Sequence, residues 1–288
     1  GAINIDNSKG VTFKEAIYVG SINDIVDDGD ATITFSKGDD QIIDAVIGSN
    51  SDDVNNYFGN IVIRGGTGAE FKQDVHVDNL SIYYESSYIV GSYSDENGDA
   101  MTSLNVSGDI ESETGTNEID VGIIKEATDV TGTLNLTGST AQTIDAAIGV
   151  NDANKYGNIN ISNSYKDSGD GFDGVTFREN IYAASINDDT SGGAVITFAK
   201  GDSQIIDAVI GDDNGSNTDN YFGNILIRSS TPVTFNQDVF VDSLNIYYDS
   251  SYVVGEDSSG TDATMNVSGD IESEIGGIIK EASGVNGV

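Results

Sequence analysis

The chain carries its own sequence twice. QIIDAVIG at 41–48 returns at 204–211, YFGNI at 57–61 at 221–225, NVSGDIESE at 105–113 at 266–274, and GIIKEA at 122–127 at 277–282. The offsets are 163 from Gln41 to Gln204, 164 from Tyr57 to Tyr221, 161 from Asn105 to Asn266 and 155 from Ile123 to Ile278, so the copies diverge by small insertions between matching blocks. Repetition on this scale points to an array, in which each unit completes the core of its neighbour and the product is length and surface instead of one catalytic pocket.

A shorter element recurs four times inside the long repeat, beginning at Gly1, Gly59, Gly157 and Gly223. Each copy keeps a Phe, a β-branched residue four positions on and Ile or Leu nine positions on: Phe13/Ile17/Ile22, Phe71/Val75/Leu80, Phe177/Ile181/Ile186 and Phe235/Val239/Leu244. A second element, Q-x-I-D-A-[VA]-I-G, starts at Gln41, Gln142 and Gln204, and each copy precedes a GNI block.

The local pattern is that of strands. ATITF, NIVIR, NLSIYY, SLNVSG, GTLNLTG, NINIS, AVITF, NILIR, SLNIYY and TMNVSG alternate apolar and polar residues between Gly, Asn, Asp or Ser. Thirty-five Gly and a single Pro, Pro232, suit tight turns between stacked strands. IIDAVIG and GIIKEA are too short for helices and lack a 3.6-residue stripe.

The strands recur at roughly 20 to 30 residues, about one coil of a β-solenoid. The expected fold is therefore all-β, a right-handed parallel β-helix built from two long imperfect repeats. Residues 1–156 form the first repeat and 157–288 the second, incomplete one, in one continuous solenoid of about a dozen coils at roughly 4.8 Å each. The alternative is an array of β-sandwich domains, which would close a separate core every 80 to 100 residues or so.

Charge narrows the partners. Lys and Arg number 12 against 48 Asp and Glu, a net charge of −36, which disfavours nucleic acid and anionic membrane surfaces. What remain are cations, glycans, cell surfaces, or more copies of the chain itself. There is no Cys, hence no disulfide or thiolate metal site. No apolar run approaches the roughly 18 residues of a membrane span, and the first residues do not read as a signal peptide. Both ends fall within a repeat, so the expectation is that the native chain continues on both sides or that copies stack end to end.

Candidate chemistry is weighed against the repeat. His76 is the single histidine, and its positions in the sibling copies hold Tyr18, Tyr182 and Phe240, which argues against acid–base catalysis. Asp44, Asp145 and Asp207 share one place in the Q-x-I-D element and read as structural acceptors to a turn or the next coil. Arg64 and Arg228 are repeat partners, and no unique carboxylate–basic cluster stands out. Acidic loops at 24–31, 49–56, 94–100, 187–193 and 211–220 have the oxygen density that Ca²⁺ requires, without EF-hand spacing. Asp27, Asp28, Asp30, Asp95, Asn97 and Asp99 are the first-choice ligands; the competing reading is a solvated, self-repelling surface. Tyr83 and Tyr84 in IYYESSY return as Tyr247 and Tyr248 in IYYDSSY. Neighbours on a strand face opposite sides, so one of each pair can be exposed to stack on a sugar ring or a neighbouring molecule, with aromatic packing the alternative.

Blocks such as GTLNLTGSTAQTIDAAIG, GNINIS and GVTFRENIYAASI resemble the repeats of large bacterial surface proteins: autotransporter passengers, giant adhesins and surface-layer proteins. The resemblance implies a secreted, extracellular or cell-surface β-solenoid without enzymatic activity, a stalk, filament or surface coat. The alternatives are a glycan- or host-binding adhesin stalk and a polysaccharide-active β-helix enzyme.

Overall fold

The computed structural model describes residues 1–6, 10–25, 31–49, 57–83, 85–95, 98–113, 121–165, 174–190, 193–212, 221–228, 230–247, 249–257, 259–273 and 276–282. Among them every regular element is a β-strand and none is a helix. QIIDAVI and IIKE are strands in both copies, at Gln41–Ile47, Gln204–Ile210, Ile123–Glu126 and Ile278–Glu281. The chain divides into two compact units: Gly1–Asn135 with Asp145–Gly149, and Leu136–Ile144 with Val150–Val288.

The first unit winds into three parallel ladders, each taking one strand segment from every coil. In the first, Val11–Phe13 pairs with Thr32–Phe35, and the register runs from Ile33 through Ile61 and Leu80 to Ile110. In the second, Ile17 faces Ile43, Ile43 faces Phe71 and Phe71 faces Val90, while Tyr88 is followed by Ile124 and Ile148. In the third, Ile3, Ile22, Ile47, Val75 and Leu104 lie in register.

The second unit repeats the winding. Its ladders run Ile144, Phe177, Phe198, Ile227, Ile246 and Ser273; Ile181, Ile206, Phe235, Val254 and Glu281; and Ile159, Ile186, Ile210, Val239 and Met265. This is a parallel β-solenoid. Sandwich domains are ruled out, since their sheets are antiparallel. The described antiparallel strand pair is a hairpin, Ser92–Asp95 with Gly98–Met101, inserted into one coil. Such insertions stretch the coil: Ile61 to Leu80 is 19 residues, whereas Tyr88 to Ile124 is 36.

Alternation makes these strands one-sided. Along Gln41–Ile47 the residues Gln41, Ile43, Ala45 and Ile47 are fully buried, and the residues between them are partly exposed. Stacked coils then place like on like. Phe13, Phe35, Phe71 and Tyr88 form a continuous ring column with centroid separations of 6.1, 5.4 and 4.3 Å. Phe177, Phe198, Phe235 and Tyr252 reproduce it at 6.1, 5.5 and 4.3 Å. Burial of such rings and of the Ile, Val and Leu rows is the main stabilising term, at roughly 1.5–3 kcal/mol per side chain.

The Q-x-I-D-A-x-I-G motif has a physical basis at both ends. Buried Gln41 donates through Nε2 to the carbonyl of Glu15 in the preceding coil at 2.8 Å, and Gln204 to that of Glu179 at 2.8 Å. The closing Gly48, Gly149 and Gly211 all take left-handed backbone, φ 68°, 70° and 68°, turning the chain out of the strand.

Candidate functional site

The strand registers bring an arginine onto a tyrosine at the surface of each unit. Ile63 and Ile82 are partners in adjacent coils and point inward, so the residues after them, Arg64 and Tyr83, are outward neighbours. The Arg64 guanidinium lies over the Tyr83 ring, 4.3 Å from its centroid. Ile227 and Ile246 set up the same contact between Arg228 and Tyr247 at 4.5 Å.

A shallow cavity of about 230 Å³ opens beside the first pair, lined by Arg64, Gly65, Gly66, Tyr83 and Glu85. Its rim is built from left-handed backbone: Gly66 at φ 70° and Glu85 at φ 61°, with Ser230 at 56° and Asp249 at 58° in the second copy. A cation and a ring are thus presented together twice, in the first copy with the Glu85 carboxylate on the same cavity. Since the arginine already covers a face of the ring, the chemistry in evidence is a cation–π contact that orders the surface.

The other expected site residues fall as follows. Tyr84 and Tyr248, and Asp27, Asp28, Asp30 and Asn97, lie outside the described residues. Asp95 and Asp99 sit on the two strands of the inserted hairpin, where Asp99 is registered with Ser94 and Asp95 with Gly98. Among the described residues no three His, Asp or Glu side chains are grouped so as to hold one cation.

Many carboxylates in the repeated blocks are acceptors that tie one coil to another. Asp44 accepts from Gln73 Nε2 at 2.6 Å, and Asp207 from Gln237 Nε2 at 2.9 Å and Lys155 Nζ at 2.7 Å. Asp74 accepts from the backbone and hydroxyl of Ser103, and Asp238 from those of Thr264. Asp78 and Asp242 take the hydroxyls of Ser107 and Ser268. Asp188 accepts from Thr190 N and Oγ1, Ala194 N and Gly223 N, and Asp24 from Ala31 N and Gly59 N, so each ties the start of the next strand of its own coil to the glycine of the following GNI block. Asn rows add to this: Asn23 donates to Asn4, Asn135 to Asn105 and Asn187 to Asn160 at 3.0, 2.7 and 2.9 Å.

Burial sets the titration of the inner groups. His76 is buried beside Tyr57, rings 5.5 Å apart, and burial holds its imidazole below the ordinary value against the opposing pull of Asp74. Phe240 fills the same place beside Tyr221 at 5.7 Å, so a ring without a titrating nitrogen packs there in the second copy. Burial pushes the Asp78 carboxyl up, partly offset by the Ser107 hydrogen bond, and pushes the Tyr252 hydroxyl far up, aided by the Asp238 charge.

No family model matches this chain, and no curated protein or solved structure is similar to it. No local pattern in the sequence joins the Arg–Tyr pairs, because Arg64 and Tyr83 belong to different blocks. Their signal was the spacing: 19 residues in both copies, Arg64 to Tyr83 and Arg228 to Tyr247, the length of the shortest coils.

Proposed function

We propose that this chain is a non-catalytic structural protein of an extracellular or cell-surface assembly: a stalk, filament or coat component of the kind its repeats resemble. The observation that carries the reading is the reuse of the same positions in both units for cohesion between coils. The ring columns, the glutamine contacts and the Asp74/Asp238 and Asp44/Asp207 acceptors are duplicated, and each links one coil to the next. A catalytic centre requires a singular cluster, whereas repetition of this sort makes a cohesive, load-bearing lattice of hydrogen bonds and packed rows.

The test is immunogold electron microscopy of cells that produce the protein, with protease shaving of intact cells. Label in an ordered surface layer or on filaments, released by shaving, is the expected result. Label confined to the cell interior and resistant to shaving overturns the reading.

A further inference from the structure

Carboxylates are abundant here, 48 Asp and Glu against 12 Lys and Arg, and several lysines are held by them: Lys37 by Asp39, Lys72 by Glu70, Lys155 by Asp207 and Lys200 by Glu179. Arg64 and Glu85 depart from this. Both are exposed and both line the cavity of about 230 Å³ beside Tyr83. Yet among the described residues neither side chain makes an ion pair or a hydrogen bond, with the other or with any further group.

Tyr83 orders the arginine. The guanidinium lies over the ring, 4.3 Å from its centroid, in a contact that gives its N–H donors no acceptor oxygen. The wall beside it is bare backbone. Gly65 and Gly66 both take left-handed geometry, φ 79° and 70°, and neither amide is bonded among the described residues. A Cβ on Gly66 would meet nothing within 4 Å, and one on Gly65 only the Ser36 hydroxyl at 3.6 Å. The cavity therefore offers several fixed donors, one carboxylate acceptor and the edge of an aromatic ring.

A ligand that satisfies both charged groups must accept from Arg64 and donate to Glu85. A hydroxyl does both, whereas a carboxylate or phosphate satisfies the arginine and is repelled by Glu85 and by the net charge of −36. The volume lies below the roughly 300–1,000 Å³ of pockets for larger ligands, which suits one small ring. We propose that this cavity is a subsite for one neutral pyranose of a glycan, its neighbouring hydroxyls held between the Arg64 guanidinium and the Glu85 carboxylate and its edge against Tyr83. The arginine already covers the tyrosine, so recognition is by hydrogen bonds and not by stacking of the sugar on the ring. The second copy keeps the arginine and the ring but has Ser230 for Gly66 and the shorter Asp249 for Glu85, and the assignment is confined to the first.

The test is nuclear magnetic resonance of the ¹⁵N-labelled chain, titrated with the methyl glycosides of glucose, galactose, mannose and N-acetylglucosamine and with methyl glucuronide. At least one neutral glycoside is expected to move the Gly65 and Gly66 amides and the Arg64 Nε–H saturably, with a dissociation constant on the order of 1 mM, as for a small ligand at a single subsite. Arg64→Gln, at an exposed position, is expected to weaken binding about tenfold, read at the two glycine amides. Glu85→Gln is expected to weaken it as well and to shift the preference towards the glucuronide, while Arg228→Gln leaves the titration unchanged.

The absence of saturable movement with every neutral glycoside overturns the proposal. So does undiminished affinity in Arg64→Gln, or tighter binding of the glucuronide than of the glucoside by the unaltered chain. The subsite goes beyond the structural role and fails separately from it: a chain that binds no sugar can still label a surface layer, and label in the cell interior does not alter the titration.

Discussion

Phe71 and Tyr88 lie face to face, ring centroids 4.3 Å apart and planes 10° from parallel, and Phe235 and Tyr252 repeat the pair at 4.3 Å and 15°. Each stack joins one coil to the next along a single ladder, and all four rings are buried. Phe71→Ala or Phe235→Ala is expected to cost about 3–5 kcal/mol by removing a ring from a packed column. Phe13→Ala, at a half-buried ring, is expected to cost less than about 2 kcal/mol. Denaturant titration of the three variants checks the order; equal losses at Phe13 and Phe71 contradict it.

Gly48 turns the chain at φ 68° against the carbonyl of His76 in the following coil. A methyl group there collides with that backbone oxygen, and the left-handed geometry is strained for any side chain. Gly48→Ala is expected to destabilise by about 2 kcal/mol or more, the strain adding about 1 of these. Gly38, also left-handed at φ 89°, has open space around it, so Gly38→Ala is expected to show the strain alone. The difference between the two melting curves isolates the collision.

Asp188 gathers four donors, at 2.6, 2.6, 3.0 and 3.1 Å, from its own loop and from Gly223 in the next coil. Asp188→Ala leaves partly buried backbone N–H groups unmatched and is expected to cost about 2–3 kcal/mol. Asp188→Asn keeps one acceptor oxygen and is expected to lose about half as much. Hydrogen exchange at Ala194 and Gly223 reads the effect locally, and protection unchanged in Asp188→Ala counts against the role.

The coil architecture was legible because its cause is local. Alternation made the inward rows, and the recurrence of Phe at fixed distances from Ile and Leu put those rows in line, as the buried Phe71, Val75 and Leu80 show. The face of each tyrosine was less so. Tyr83 and Tyr88 stand in one block, IYYESSY, yet one bears an arginine at the surface and the other sits in the ring column, since the chain passes a left-handed turn at Glu85 between them. Contacts between blocks, such as Arg64 with Tyr83 or Asp24 with Gly59, depend on how many residues each coil contains. That number ranges from 19 to 36 because insertions fall between strands, and no local pattern encodes it.

His76 gives the chain a pH dependence whose sign follows from burial. Its imidazole is held below the ordinary 6.5, with burial the larger cause and Asp74 opposing it, while in the unfolded chain it titrates at the ordinary value. Between its folded value and 6.5 the unfolded chain therefore binds more protons. Its contribution to stability is fully present above about 6.5, is lost as pH falls through that window, and is level again below it. Asp78, pushed up from 3.8 by burial, works the other way: its ionisation costs stability as pH rises above 3.8, so acidification relieves it. Phe240 shows that an uncharged ring fits the histidine's place beside the neighbouring tyrosine. His76→Phe is accordingly expected to retain the fold and to flatten the loss of stability just below pH 6.5, leaving the carboxylate-driven change at lower pH intact. Urea unfolding of both proteins from pH 4.5 to 8 measures the difference; parallel curves through that window would show that His76 takes up its proton equally well in the folded and unfolded chain.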